Sequence, residues 1–276
     1  MRKKGSLIAK IVLSVSIFAS ICFYLINIFV AHTSPFKYLW IIAIFDVVCA
    51  IIIIKLIMDD YKEKLENAEN KYSKDIVGAF DGEDRIKRQL LLAIYYFSQN
   101  KNQKSNEILR KLESKCTKGS DYKAVLLFQA LNYTNAGQEI QAIFTYEKAV
   151  KSGYATSNMY NNLGHLYAKS QDSIQAHNNY DLAIYIDATN FVAYHNKAQL
   201  FFKDGNSKMA IELLKKSLEI NPAYRPSTTL LAVIYALEGD SKNALEFKGK
   251  AIENGENPSS IDRLIFYYKN QKQSWI

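Results

Sequence analysis

Cysteine is scarce: three residues in 276, at Cys22, Cys49 and Cys116. They form no Cys-x-x-Cys pair and no disulfide-framework spacing, and two of them fall in apolar runs. That excludes a stapled secreted scaffold and a thiol redox motif, and it points to a reducing compartment. Catalytic signatures are missing too. There is no Walker loop, no Gly-x-Ser-x-Gly, no His-Glu-x-x-His and no dinucleotide fingerprint. The four histidines are His32, His165, His177 and His195. His165 and His195 are expected to come near each other, but two imidazoles without a third ligand make a poor metal site. The acidic residues are spread over the chain and mark no acid/base pair. The expectation is a protein that is not an enzyme and has no cofactor.

The formal charge is +8, without a run of arginines or a nucleic-acid-binding motif. Residues 1–58 hold Arg2, Lys3, Lys4, Lys10, Lys37 and Lys55 against Asp46 alone, a net +5, which leaves +3 for all the rest. The excess sits beside long apolar runs, so a membrane explains it better than nucleic acid does.

Leu7–Val30 and Tyr38–Met58 are the two apolar runs. Each is long enough to cross a bilayer core, which takes about 20 helical residues. The short connection "AHTSPFK" contains Pro35, which stops helix continuation. A transmembrane hairpin over residues 1–58 is expected, with spans at about 7–30 and 38–58. Lysines flank the outer ends of both runs, and the connection has only Lys37. The positive-inside bias then places both termini in the cytoplasm, with Tyr38 and Trp40 at the far interface. A cleaved signal peptide is the competing reading, but Phe29 stands where cleavage after Ala31 would want a small residue. Asp46 and Asn27 are the polar residues of the hairpin. They either hydrogen-bond within it or dock another membrane protein. The abundance of Ile, Lys and Asn is that of an AT-rich genome, so the expected location is a bacterial cell membrane.

Residues 59–82 are charged and helix-favouring. Met58, Tyr61, Leu65, Ala68 and Tyr72 form a heptad seam about two heptads long. This reads as a helical stalk with weak self-association, ended by a linker at Gly78 and Gly82.

Beyond it the sequence repeats with a step of 34. Ala130, Gly164, Ala198 and Ala232 are small, and Tyr133, Tyr167, Phe201 and Tyr235 are aromatic. Ala142, Ala176, Ala210 and Ala244 form another column. Gly137, Gly205 and Gly239 form one more, with Gln171 as its exception. Each unit reads as two helices, with a positive-φ turn between them and caps such as Asn206 and Asp240 after it. The small column lets the paired helices approach closely, with the alanines of the second helix opposite. Gln129 and Lys197 depart from the leucine of Leu163 and Leu231. Lys248 departs from the large apolar residue of Tyr146, Tyr180 and Leu214, so looser packing is expected near the C-terminus.

Period and columns resemble the tetratricopeptide repeat. The resemblance implies an all-α fold, a tetratricopeptide-like right-handed helical solenoid following the two-helix transmembrane hairpin. The expected divisions are a degenerate first helix pair over 83–122, four repeats over 123–258 and a C-terminal capping helix over 259–276. Ser259 or Ser260 would cap that last helix, and Trp275 would help cover the end of the stack. The resemblance also implies a concave side lined by the first helix of each pair. Asn161, His165 and Lys169, then His195, Gln199 and Lys203 one period later, lie at i, i+4, i+8 on that side. They form either a mildly basic partner-binding groove or an ordinary solvated face. Leu127 and Leu131 on one flank and Thr229 and Val233 on the other would make its margins apolar. The Lys/Asn/Arg set of the two-carboxylate clamp is not present. The function implied is a membrane-anchored scaffold that offers a cytoplasmic groove to peptide or protein partners. The alternative is a subunit or assembly factor of a membrane complex, recognised through the hairpin. Membrane lipid is an implied partner, and nucleic acid is not.

Overall fold

Helix-favouring side chains recur with a 3.6-residue apolar period along most of the chain, and every regular element among the described residues is an α-helix. The structure, a computed structural model, describes residues 39–71, 84–116 and 119–273, together with Ile21 and Tyr24. The chain divides into two compact units, residues 1–116 and 117–276.

In the first unit, α1 runs over Leu39–Lys71, α2 over Asp84–Ser98 and α3 over Asn102–Glu113. α1 is continuous from the second apolar run into the charged stretch after it. No helix among the described residues is long and apolar enough to cross a membrane. In α1 the described side chains begin at Val47, and the apolar stretch from there closes at Met58, before Asp59 and Asp60. Apart from Ile21 and Tyr24, the first apolar run lies outside the described residues, as do the connection and Asn27. Asp46 has helical backbone in α1, but its side chain also lies outside them. The same holds for Tyr72, Gly78, Gly82 and Trp275.

The charged end of α1 packs against α2. Ala68 is buried, Lys87 pairs with Glu69 at 3.1 Å, and the Lys64 ammonium stands 5.7 Å from the Tyr95 ring centre. This part of the heptad seam therefore faces a helix of its own chain. α2 and α3 form a hairpin around Leu90, Ile94, Leu109 and Leu112, all fully buried. Ser105 Oγ donates to the Ala93 carbonyl at 2.8 Å, which draws the two helices together.

The second unit stacks four helix pairs and a last helix. The pairs are α4 (Gly119–Asn135) with α5 (Glu139–Lys151), α6 (Ser157–Lys169) with α7 (Ser173–Ile186), α8 (Phe191–Lys203) with α9 (Ser207–Ile220), and α10 (Arg225–Leu237) with α11 (Ser241–Glu253); α12 spans Pro258–Gln273. The turn inside each pair has one construction. Gly137, Gly205 and Gly239 have φ of 69°, 83° and 80°, and Gln171 takes the same left-handed form at 64°. The hydrogen bonds across the turns follow suit: the carbonyls of Tyr133, Tyr167, Phe201 and Tyr235 accept from the amides five residues on, of Gln138, Asp172, Asn206 and Asp240, at 2.8–2.9 Å. Asp172, Asn206 and Asp240 then cap the second helices, accepting from the amides of Gln175, Met209 and Asn243 at 3.0–3.1 Å.

Gly164 is small because of Tyr180. A Cβ built on Gly164 would stand 2.6 Å from Tyr180 Cδ1. The nearest side chain to Gly164 is thus this ring, not the alanine at 176. Tyr180 and its counterpart Tyr146 are almost fully buried, and Asn162 Nδ2 donates to the Tyr146 hydroxyl at 3.0 Å. Burial pushes the Tyr146 phenol up to about 12.

The column departures have physical reasons. Lys197 lays its stem where Leu163 and Leu231 sit in their repeats, and its ammonium pairs with Asp181. Lys248 reaches Asp262 of α12 at 2.5 Å, and the looser packing expected here is seen in α11, where Ala251 alone is buried. α12 is capped by Asn257, whose side-chain oxygen accepts from the Ser259 amide at 2.9 Å, rather than by Ser259 or Ser260. It packs chiefly on α10. Ile261 and Ile265 lie against Val233, and Tyr268 meets the Phe202 ring of α8 edge-on at 5.1 Å. The open flank of α11 keeps Leu245 71% exposed.

Candidate functional site

The first helices of successive pairs lie side by side: α6 beside α8, α8 beside α10. The i, i+4, i+8 rows of α6 and α8 run along this face, and they do not share one fate. Asn161 and His195, which lead the two rows, are buried. Asn196 Nδ2 donates to Asn161 Oδ1 at 2.9 Å, which ties α8 to α6. His195 Nδ1 and Ser227 Oγ are 3.1 Å apart, and Ser227 Oγ lies 2.8 Å from Ser217 Oγ. The His195 ring also meets Tyr224 edge-on at 5.4 Å. These two residues join neighbouring repeats. Burial drives His195 down to about 4, so its ring is neutral at physiological pH.

The later members of the rows are open. His165, Lys169 and Lys203 are exposed, and Gln199 is half-buried. Partial burial and the nearby ammonium groups of Lys169 and Lys203 hold the His165 ring below its usual range, against an opposing pull from Glu139. Both lysines therefore act on the same imidazole, one from α6 and one from α8. Lys169 also pairs with Glu139 at the start of α5, at 2.7 Å. The result is a small basic cluster whose positive charge comes from lysine, not from histidine.

The flanks differ from expectation. Leu127, Thr229 and Val233 are buried, and Leu131 is half-buried, so the margins of the row offer little apolar surface. On the α10 side, Val233 is covered by α12. A last helix covering the end of the stack was expected; that it reaches Val233 and Phe202 was not, because the 34-residue columns describe only how pairs stack.

Two clefts open between the second helices of adjacent pairs. One, of about 290 Å³, is lined by Glu147, Tyr160, Leu163, Tyr167 and Leu182. The other, of about 580 Å³, is lined by Lys215, Leu218, Phe247 and Lys250. Tyr167 donates to Glu147 at 2.6 Å across the first, and Lys250 pairs with Glu246 at 2.6 Å beside the second. Among the described residues no cluster of three or more His, Cys, Asp or Glu side chains could hold a metal ion.

Two adjacent segments, residues 157–190 and 192–224, match the tetratricopeptide repeat family model. They are tetratricopeptide repeats. The helical stack is similar in fold to several proteins of known structure. MamA is 18% identical, with 59% of this chain and 93% of that one covered and a TM-score of 0.53. YrrB, described as a TPR protein with an unusual peptide-binding site, is 16% identical, with 75% and 97% covered and a TM-score of 0.52. PilF of Pseudomonas aeruginosa is 17% identical, with 68% and 86% covered and a TM-score of 0.57. At such identities the likeness concerns the fold alone. Among curated proteins none matches the sequence.

Proposed function

We propose that this chain is a membrane-anchored scaffold that holds a peptide segment of a protein partner on the row His165, Lys169, Gln199 and Lys203. The observation that carries the reading is the convergence of Lys169 and Lys203 on His165 from two adjacent helices. A backbone or side-chain carboxylate of a bound peptide would meet two ammonium groups there and a neutral imidazole able to donate one hydrogen bond. Asn161 and His195 act beneath the row, setting the spacing of α6 and α8 through Asn196 and Ser227. The anchor is the hairpin over residues 1–58, with both termini cytoplasmic. In its support, Val47, Ile51, Ile54, Ile57 and Met58 of α1 are each more than half exposed, an arrangement that lipid would cover. The same exposed stretch also suits the alternative, recognition through the hairpin by a membrane complex.

The test is a Lys169→Glu/Lys203→Glu double variant in the full chain. Partners crosslinked to the wild-type protein in its native membrane are identified by mass spectrometry, then quantified on the variant. A loss of about tenfold or more is expected, since two charge-assisted bonds at about 1.5 kcal/mol or more each are replaced by repulsion. Undiminished recovery would remove the row from the binding surface. Exchange of residues 1–58 for an unrelated anchor separates the two readings: partner recovery survives if the row binds, and is lost if the hairpin does.

A further inference from the structure

The inner face of the stack is already partly occupied, by the chain's own last helix. α12 lies over α10 and reaches α8. Ile261, Ile265 and Tyr268, at i, i+4 and i+7, form its inward ridge. Val233, at the same repeat position as His165 and Gln199, is fully buried beneath that ridge, and Tyr268 stacks edge-on against Phe202. Asp262, next to the first anchor, holds Lys248 of α11.

Two features set α12 apart from a permanent part of the core. Its outer side is apolar as well: Leu264, Phe266 and Tyr267 are 39%, 68% and 53% exposed. And Thr229, one turn before Val233 on α10, is buried with a hydroxyl that has no hydrogen-bond partner among the described residues. A buried hydroxyl without a partner is unfavourable.

We infer that the half of the inner face built by α8 and α10 is a receptor for an amphipathic helix of a partner protein, and that α12 is its resident occupant. The ridge of α12 states the chemistry of the ligand: large apolar side chains at i, i+4 and i+7, with a carboxylate directly after the first. This rests on the scaffold reading but on the apolar contacts at Val233 and Phe202 rather than on the charges of the lysine row. A partner helix binds by displacing α12, and its apparent affinity is reduced by the fraction of chains in which the face is open.

The probe is a fluorescein-labelled peptide of residues 258–273, titrated by fluorescence anisotropy against the full chain in mild detergent. An Ile261→Ala/Ile265→Ala variant weakens the resident helix while leaving its receptor intact. It should bind the peptide at least tenfold tighter than the wild-type chain. Adding Val233→Asp should abolish that gain, whereas Lys169→Glu/Lys203→Glu should leave it unchanged, which separates this site from the row. A Val233→Cys/Ile261→Cys pair, oxidised, should refuse the peptide and accept it after reduction. Circular dichroism confirms that each variant keeps its helix content. The inference falls if the weakened variant binds no tighter than wild type, or if reduction of the cysteine pair changes nothing. It falls as well if light scattering shows wild-type dimers held by exchanged α12 helices, since the occupant is then a second copy.

Discussion

Gly164 shows how one side chain's absence is set by another's bulk. The helix loses about 1 kcal/mol of propensity relative to alanine there. In return the Tyr180 ring lies flat against the backbone, so close that a Cβ would overlap its edge. Gly164→Ala should therefore lower stability in spite of its better propensity. Overpacking costs about 1–3 kcal/mol, so a net loss of up to about 2 kcal/mol is expected in urea denaturation. Tyr180→Leu copies the Ala198/Leu214 arrangement of the next repeat, and adding it to Gly164→Ala should recover most of the loss. Additive effects in this double-mutant cycle would show that the two positions do not interact. The sequence makes the need for smallness visible at 164, because four small residues recur there. It does not show which side chain requires it: the alanine column was the natural guess, and the ring sixteen residues on is the answer. Lys197 is the same lesson reversed. Read alone it breaks a leucine column. With Asp181 beside it, its stem serves as the leucine and its charge is met.

Among elements, the least legible pair was α2 with α3. Its small residues, Ala93 and Ser105, are spaced as Ala130 and Ala142 are, and its left-handed turn residue Asn100 has φ of 56°. All three precede their counterparts by 37 residues rather than 34. A search at fixed period passes over them, while a search for the internal spacing of twelve would find them. α12 was half legible. Ile261 and Ile265 keep the 34-residue step from Ser227 and Leu231, but Phe266 falls in the small column and Lys269 in the aromatic one. A helix with those two exchanges cannot admit a following partner, and it packs on α10 instead. The joint between α8 and α10 has a pH dependence of its own. His195 sits near 4 when folded and near 6.5 in an unfolded chain. At neutral pH both forms are unprotonated and contribute no difference. As pH falls through 6.5 the unfolded chain takes up the proton first, so stability declines from there towards pH 4. Between pH 7 and pH 4.5 the wild-type protein should lose about 2 kcal/mol more, by urea midpoints, than His195→Gln. Parallel losses in the two proteins would show that the ring is not held neutral by burial.

For the whole molecule, the period announced an all-helical stack, and composition announced where its excess charge lies. The proposed membrane arrangement is tested on intact cells. Lys208 is exposed on α9, and Cys116 is buried, so Lys208→Cys is the reporter of choice. With both termini inside, a membrane-impermeant maleimide should label it only after lysis. Labelling in intact cells would place the stack outside. The position of α12 has a further consequence during synthesis. It leaves the ribosome after α8 and α10, which therefore stand complete before their cover exists. For that interval Val233 faces solvent in every nascent chain, and a partner already at the polysome meets no competitor. Assembly then depends on when the two proteins meet as much as on how tightly they bind.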